Sequence, residues 1–359
     1  MVVDCIRSPR EGAEAARREL AGKGLLAKGA KIARDADFVY FPVEKGAKIP
    51  EKFRKLACKR DFEGFDGRRS GSLKDTLVAG GKMAAREAEA VTGAFDCIGD
   101  IAIVEIPEGL ERKESEIARA VMLMNRHIRV VAKKEGPMEG VFRVRRLKII
   151  GGEKRTETVY RESGCSFLLD VSKAYFSVRL AHERQRIGAQ VGKKEKILVP
   201  FAGVGPFAIV IGKKHPDCEI VGIELNQAAA EYFGKNTEIN KTKNVKAVLG
   251  DANDVVPNAY RGWADRIVMP LPNSAGDFLD AALAGANPRG CKIHFYGFVQ
   301  TRDGGGKEIR DIYAPMLRLI RGKCAAKKMK CRIMNKRVVR PYAPFVVQAA
   351  VDFSVRKNA

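Results

Sequence analysis

Acidic side chains are in short supply in this 359-residue chain: 43 Asp and Glu face 66 Lys and Arg, a formal net charge of +23. That deficit makes a large polyanion the natural partner, because each phosphate neutralised by Lys or Arg releases condensed counterions. Nucleic acid is therefore favoured over a merely solubilising basic surface. Histidine is rarer still, with 4 residues, and the 8 cysteines (5, 58, 97, 165, 218, 291, 324 and 331) form no CxxC pair and no Cys/His cluster at zinc spacing. No metal is expected, and the cysteines read as small core residues in a reducing compartment. The opening MVVDCIRSPREG lacks the apolar core of a targeting segment, and the longest apolar stretch is too short and broken to cross a membrane. A cytoplasmic protein with no membrane partner is the reading. Internal repeats and low-complexity tracts are also missing.

What the chain has is one organising stretch, Lys196 to Leu225, KILVPFAGVGPFAIVIGKKHPDCEIVGIEL. A short apolar run, Ile197 to Phe201, has the character of a strand buried on both faces. It breaks at Ala202-Gly203-Val204-Gly205-Pro206, a helix-length apolar segment follows, and a second run, Ile220 to Leu225, ends on Glu224. Strand, glycine turn, helix and strand with a terminal carboxylate is the layout of a nucleotide-type cofactor site, the acid accepting hydrogen bonds from ribose hydroxyls. Nicotinamide and flavin enzymes use the same device. No Gly-Lys-Ser/Thr follows the turn, so a phosphate-gripping loop is disfavoured. A third run ends in Gly250-Asp251, and a fourth, Ala264 to Met269, leads into Pro270-Leu271-Pro272-Asn273. Acids at successive strand ends suit a cofactor with ribose, adenine and a positive sulfonium but no phosphate. S-Adenosylmethionine fits that description.

Two or three domains are expected in a chain of this length, and the pattern along it reads as three. Residues 1–65 read as a small α/β unit with a helix from Pro9 to Lys23 and a strand from Phe38 to Val43; the run Lys52 to Lys74 has connector composition. Residues 75–165 read as a second unit. It holds a strand-turn-strand or long bent strand over 95–107, and a helix from Glu114 to Arg126 with Met122 and Met124 in its core. It also holds strands over Ile128 to Lys133 and Val141 to Leu147, the latter placing Arg143 and Arg145 on one face. Residues 166–359 carry the glycine turn. A fifth strand (Cys291 to Gly297), a helix around Ile309 to Arg321, and strands over Arg332 to Arg340 and Phe345 to Val355 complete it. The last two form a hairpin around Pro341-Tyr342-Ala343-Pro344. The fold expected is α/β, a class I S-adenosylmethionine-dependent methyltransferase (Rossmann-like) domain behind two smaller α/β or α+β RNA-recognition domains.

FDCIGDIAIVEIP (95–107), GVFRVRRLKIIGGEKRTETVYRESGC (140–165), YFSVRLAHERQRI (175–187), FAGVGPFAI (201–209) and RVVRPYAP (337–344) together resemble the tRNA (guanine-N1)-methyltransferases of the archaeal and eukaryotic type. These act on the purine 3′ of the anticodon. The likeness covers essentially the whole chain, more loosely over 1–65. It implies a tRNA partner and, on a protein read as a monomer, a base near guanine N1 and a cation near O6. By resemblance the base is Glu183, whose alternative is an ion pair with Arg179 or Arg184; the cation is Arg143, with Arg145 two residues on as the fallback. Cofactor contacts are expected from Tyr175, Arg179, Phe201, Gly203, Gly205, Glu224, Asp251, Pro270 and Pro272, and substrate contacts from Asn273, Arg337, Arg340 and Tyr342. Two positions depart from the family pattern. Val199 replaces an acid, and Pro270 replaces the Asn of an Asn-Leu-Pro segment. A wybutosine-pathway aminocarboxypropyltransferase or tricyclic-base methyltransferase, a non-catalytic tRNA-binding protein and a dinucleotide oxidoreductase are the competing readings.

Overall fold

The computed structural model describes residues 2–27, 32–35, 37–44, 46–61, 72–81, 83–136, 140, 142, 144 and 146–357. The chain divides into two compact units, 1–88 and 89–359.

In the first unit, four antiparallel strands lie in the order Ala33–Arg34, Phe38–Pro42, Val2–Pro9, Ala57–Asp61. The helix Ala13–Gly22 lays Ala16 and Leu20 on Ile6, Val39, Phe41 and Phe53. Two sequence expectations change here. The opening residues form an inner strand, and part of the run read as connector is the strand Ala57–Asp61, paired with it in the register Cys5↔Cys58. Its charge hid it: Lys59 is exposed, and Arg60, on the opposite face, pairs with Asp35 (3.2 Å) and lies over the Tyr40 ring.

The second unit begins with strands Asp96–Ile98, Ile101–Val104, Val130–Lys134 and Leu147–Gly152 in one sheet. The 95–107 segment is a hairpin turning at Gly99, where φ is +58° and a Cβ would lie 2.1 Å from the Thr158 hydroxyl oxygen. The helix Glu114–Met124 buries Ile117, Ala118, Ala120 and Val121, but Met124 is 40% exposed rather than core. Within the strand expected over 141–147, Phe142 sits in a turn, Val144 makes a β-bridge and Leu147 opens the strand Leu147–Gly152. Arg143 and Arg145 lie outside the described residues. Next comes a hairpin of Glu157–Glu162 and Cys165–Asp170.

The main sheet has seven strands: β1 (Lys196–Pro200), β2 (Glu219–Glu224), β3 (Val245–Leu249), β4 (Arg266–Met269), β5 (Cys291–Gln300), β6 (Met329–Ala343) and β7 (Val346–Lys357). Their order is β3-β2-β1-β4-β5-β7-β6, with the first five parallel and β7 antiparallel to both β5 and β6. Helices α1 (Ala181–Gly188), α2 (Pro206–Lys214), α3 (Gln227–Ile239), α4 (Ala252–Ala259), α5 (Leu279–Gly285) and α6 (Ala314–Ala326) accompany it. Ile197, Leu198 and Val199 are fully buried, and Leu198 faces a core cluster distinct from that of its two neighbours. That is why β1 is apolar without alternation. The last two strands run further than expected. Pro341 and Tyr342 belong to β6, not to the turn, because register shifts after Ile333, Val338 and Pro341 let proline sit in this edge strand.

Candidate active site

A cleft of about 300 Å³ opens at the carboxyl ends of β1, β2, β3 and β4, where open α/β sheets bind their ligands. Its shape starts with β1, which ends in three left-handed residues: Phe201 (φ +64°), Gly203 (φ +56°) and Gly205 (φ +88°). The turn closes through Ala202 N–H to the Ile223 carbonyl (2.9 Å) and Gly205 N–H to the Ala202 carbonyl (2.9 Å). Gly205 does not line the cleft. It serves the turn from behind, where a Cβ would stand 2.1 Å from the ring of Phe233, a fully buried residue of α3. Gly222 on β2 meets the same ring, at 2.3 Å.

Asn236, one helical turn further along α3 and wholly buried, donates to the Val204 carbonyl (3.0 Å) and to the Leu168 carbonyl (3.0 Å), and accepts from Leu168 N–H (2.7 Å). Asn240 does the same for Ser166, accepting from its N–H (2.8 Å) and donating to its carbonyl (2.7 Å). Two side-chain amides four residues apart thus stand in for a neighbouring strand along Cys165–Asp170.

Glu224 bridges the turn. Its carboxylate accepts from Gly203 N–H (2.7 Å) and Asn226 N–H (2.9 Å). Burial pushes this carboxyl above the ordinary glutamate range, against the pull of those two amides. Each oxygen accepts one backbone bond, so lone pairs remain for ribose hydroxyls. Asn226 caps α3, accepting from Ala228 N–H (3.0 Å), and donates to the Lys173 carbonyl (2.8 Å). Asp251 caps α4 by accepting from Asn253 N–H (2.7 Å). Apolar walls come from Ile223, Leu225 and the edge-on pair Phe201 and Phe278, ring centroids 4.6 Å apart.

Tyr175, Phe201, Gly203, Glu224, Asp251, Pro270 and Asn273 all line the cleft; Pro272 and Arg179 do not. Arg179 pairs with Asp96 instead (2.8 Å). Gly140 and Phe142, from the segment that resembles the family's arginine strand, reach the cleft wall. Asn226 and Phe278 were missed by sequence reasoning. Asn226 had a readable signal, an N-cap residue ahead of a helix-forming run; Phe278 had none. The described lining holds two carboxylates and no Lys or Arg. A sulfonium nucleoside fits such a site, and a phosphate-bearing dinucleotide does not.

Glu183 is not among the residues that line the cleft; it is 2% exposed on α1. One carboxylate oxygen, Oε2, accepts from the Tyr296 hydroxyl (2.8 Å) and from Arg186 Nε (2.9 Å); Oε1 faces Arg337 Nη1 at 3.3 Å. The alternative pairing with Arg179 or Arg184 is not formed: Arg179 pairs with Asp96, and Arg184 is buried against Glu162 and the Ser177 carbonyl. Behind Arg186 a chain of buried polar groups crosses the sheet. Arg186 pairs with Asp352, and His294 Nδ1 meets Asp352 Oδ1 at 2.7 Å. Arg266 Nη1 meets His294 Nε2 at 2.7 Å, and Arg266 also forks onto Glu195 (2.6 and 3.0 Å). Arginine only donates, so His294 Nε2 accepts and its Nδ1–H faces Asp352. Burial holds the imidazole below its usual pKa, while the His294 and Arg186 hydrogen bonds outweigh burial at Asp352 and lower it to about 2.

At the far end of β6, Arg340 donates to the Gln348 side chain (2.9 Å), and Tyr342 stacks on Phe298 with centroids 4.0 Å apart. Tyr342 and Phe345 are 44% and 58% exposed, and Arg302 covers the Phe345 ring. Exposed rings beside arginines form a surface on which bases stack.

The strand order with two crossovers ending in an antiparallel pair, the glycine turn and the strand-end acids define a class I S-adenosylmethionine-dependent methyltransferase. Residues 158–333 match the TRM5/TYW2 methyltransferase domain, 73–156 the TYW2 N-terminal domain and 5–51 the tRNA methyltransferase 5 N-terminal domain. The chain is 36% identical over 351 residues, 98% of each chain, to the tRNA (guanine(37)-N(1))-methyltransferase Trm5b of Pyrococcus abyssi. It is 28% identical, over 99% of each, to the Trm5b of Methanocaldococcus jannaschii. The crystal structure of the Pyrococcus abyssi Trm5b superposes with a TM-score of 0.72 at 34% identity, covering 99% of both chains. A complex of aTrm5 with tRNALeu does so with 0.70 at 27% identity, also over 99% of both. The chain belongs to the TRM5/TYW2 methyltransferase family.

Proposed function

We infer that this protein transfers a methyl group from S-adenosylmethionine to N1 of the guanosine 3′-adjacent to the anticodon of tRNA. The observation that carries this reading is the full-length similarity to the two Trm5b enzymes, including the tRNA methyltransferase 5 N-terminal match over 5–51. That match favours guanine methylation over the aminocarboxypropyl transfer named for another relative, a Methanocaldococcus jannaschii enzyme 30% identical over 72% of this chain. The net charge of +23 supports the polyanionic partner.

S-Adenosylmethionine supplies an electrophilic methyl group when bound. Glu224 takes the ribose hydroxyls, Asp251 stands by the adenine, and Tyr175, Phe201, Gly203 and Pro270 shape the cleft. Guanine N1 carries a proton that must leave before its lone pair can attack. Glu183 is the base that accepts it, and Arg143, or Arg145 if the match slips by two, neutralises charge growing on O6. Arg337, Arg340 and Tyr342 with Asn273 meet the nucleotide. Residues 1–65 and 75–165 are two tRNA-recognition domains ahead of the catalytic domain at 166–359, a division supported by the three family matches. The protein works as a monomer in the cytoplasm, a reducing compartment that its free cysteines fit. Transcripts with guanine or adenine at the position 3′ of the anticodon, incubated with labelled S-adenosylmethionine, test the assignment. Label should enter only the guanine transcript; equal labelling refutes it.

A further inference from the structure

The two guanidinium groups on Glu183 are held very differently. Arg186 is fixed on its far side by Asp352, which His294 and, through it, Arg266 hold in turn. Among the described residues Arg337 has no such anchor: it stands on the edge strand β6 with its side chain 42% exposed, and its one ion-pair contact there is the 3.3 Å approach to Glu183 Oε1. Its Nε is the one buried side-chain polar atom without a hydrogen-bond partner among the described residues. A buried donor left unpaired costs free energy, so this position of Arg337 is poorly satisfied. The consequence for the carboxylate is an asymmetry. Oε2 is fixed by Tyr296 and Arg186, while the one charged partner of Oε1 among the described residues is the loosely held arginine.

We propose that Arg337 caps Oε1 of Glu183 in the free protein and exchanges that contact for a phosphate of the substrate nucleotide, uncovering Oε1 as the atom that takes the guanine N1 proton. The proposal rests on Glu183 being the base. A planar guanidinium on a basic strand, beside Lys336 and Arg340, suits a phosphate better than a single long contact to one carboxylate oxygen. In the step itself, the N1–H bond breaks and the proton moves to Oε1; the N1 electron pair is then free to take the methyl carbon, whose bond to the sulfonium sulfur would break with its electron pair staying on sulfur.

The titratable and charged groups around Glu183 are Arg186 from α1, Tyr296 from β5 and Arg337 from β6, with Asp352 of β7 and His294 of β5 behind Arg186. Burial and the neighbouring carboxylate push the Tyr296 phenol well up, so it stays a donor, and burial keeps His294 neutral.

The salt dependence of tRNA affinity reads phosphate contacts, and the single-turnover rate at saturating tRNA reads the chemistry. Both should be measured for the unaltered protein, Arg337→Ala, Glu183→Gln and the double variant, with S-adenosylmethionine binding as a check of folding. Arg337→Ala should weaken tRNA binding and flatten its log–log salt slope by about one, while the saturating rate stays close to that of the unaltered protein. Glu183→Gln removes the carboxylate that competes with the phosphate and should tighten tRNA binding, an effect absent when residue 337 is already alanine. An unchanged salt slope in Arg337→Ala means that it takes no phosphate, and the exchange is wrong. A saturating rate that falls as far as in Glu183→Gln means that Arg337 stays on Glu183 in the complex, which also overturns it. A Glu183→Gln variant with full rate would instead refute the base assignment, whatever Arg337→Ala does.

Discussion

At the scale of single residues, Glu224 carries the clearest consequence. Its carboxyl is raised by burial, while ribose hydroxyls need the ionised form as acceptor. As pH falls through that raised pKa the carboxylate takes up a proton and S-adenosylmethionine affinity drops. Calorimetric titration should show weakening that begins at a higher pH than an ordinary glutamate near 4.3 would give, with proton release on binding in that range. A flat affinity down to pH 4 would show that Glu224 is not the ribose acceptor. Glu224, Gly203 and Asp251 were legible in the sequence because their chemistry and their place at strand ends coincide. Gly205 was legible as a turn residue, yet its reason for being glycine, the Phe233 ring, comes from a helix later in the chain. The partners of Glu183 were not legible either: Tyr296 and Arg337 reach it across the sheet, and helix spacing predicts only local pairs such as Arg186.

Among elements, α3 does more than cover the sheet. Asn236 makes three hydrogen bonds at full burial, two of them to Leu168 and one to the glycine turn at Val204. Asn236→Ala leaves these backbone groups unpaired and should destabilise the fold by about 2–3 kcal/mol, read from denaturant midpoints, with weaker S-adenosylmethionine binding. A change under about 0.5 kcal/mol, the level of an ordinary surface substitution, would show that water replaces the amide. The five parallel strands were readable as apolar runs between glycine and acid punctuation. Strands with a wet face were not: Ala57–Asp61 and the ends of β6 carry lysine, arginine and proline, which mark connectors and turns in most sequences. The hairpin at 157–170 is polar on one face for the same reason, and the free edge of its second strand is satisfied by asparagines of α3.

For the whole molecule, charge is unevenly used. The chain carries +23 overall, but the described lining of the cofactor cleft holds two carboxylates and no Lys or Arg. Raising salt should therefore weaken tRNA binding by roughly tenfold or more between about 50 and 200 mM and hardly alter S-adenosylmethionine binding. Filter binding beside calorimetry separates the two, and a salt-insensitive tRNA affinity would contradict a phosphate-dominated interface. The central claim concerns one atom of one base. After reaction of an unmodified transcript with S-adenosylmethionine, the tRNA is digested to nucleosides and the modified product identified by mass and chromatography, with its position mapped by fragment sequencing. The account predicts 1-methylguanosine, immediately 3′ of the anticodon and nowhere else. A methyl on another atom or position, or a heavier aminocarboxypropyl adduct, would contradict it.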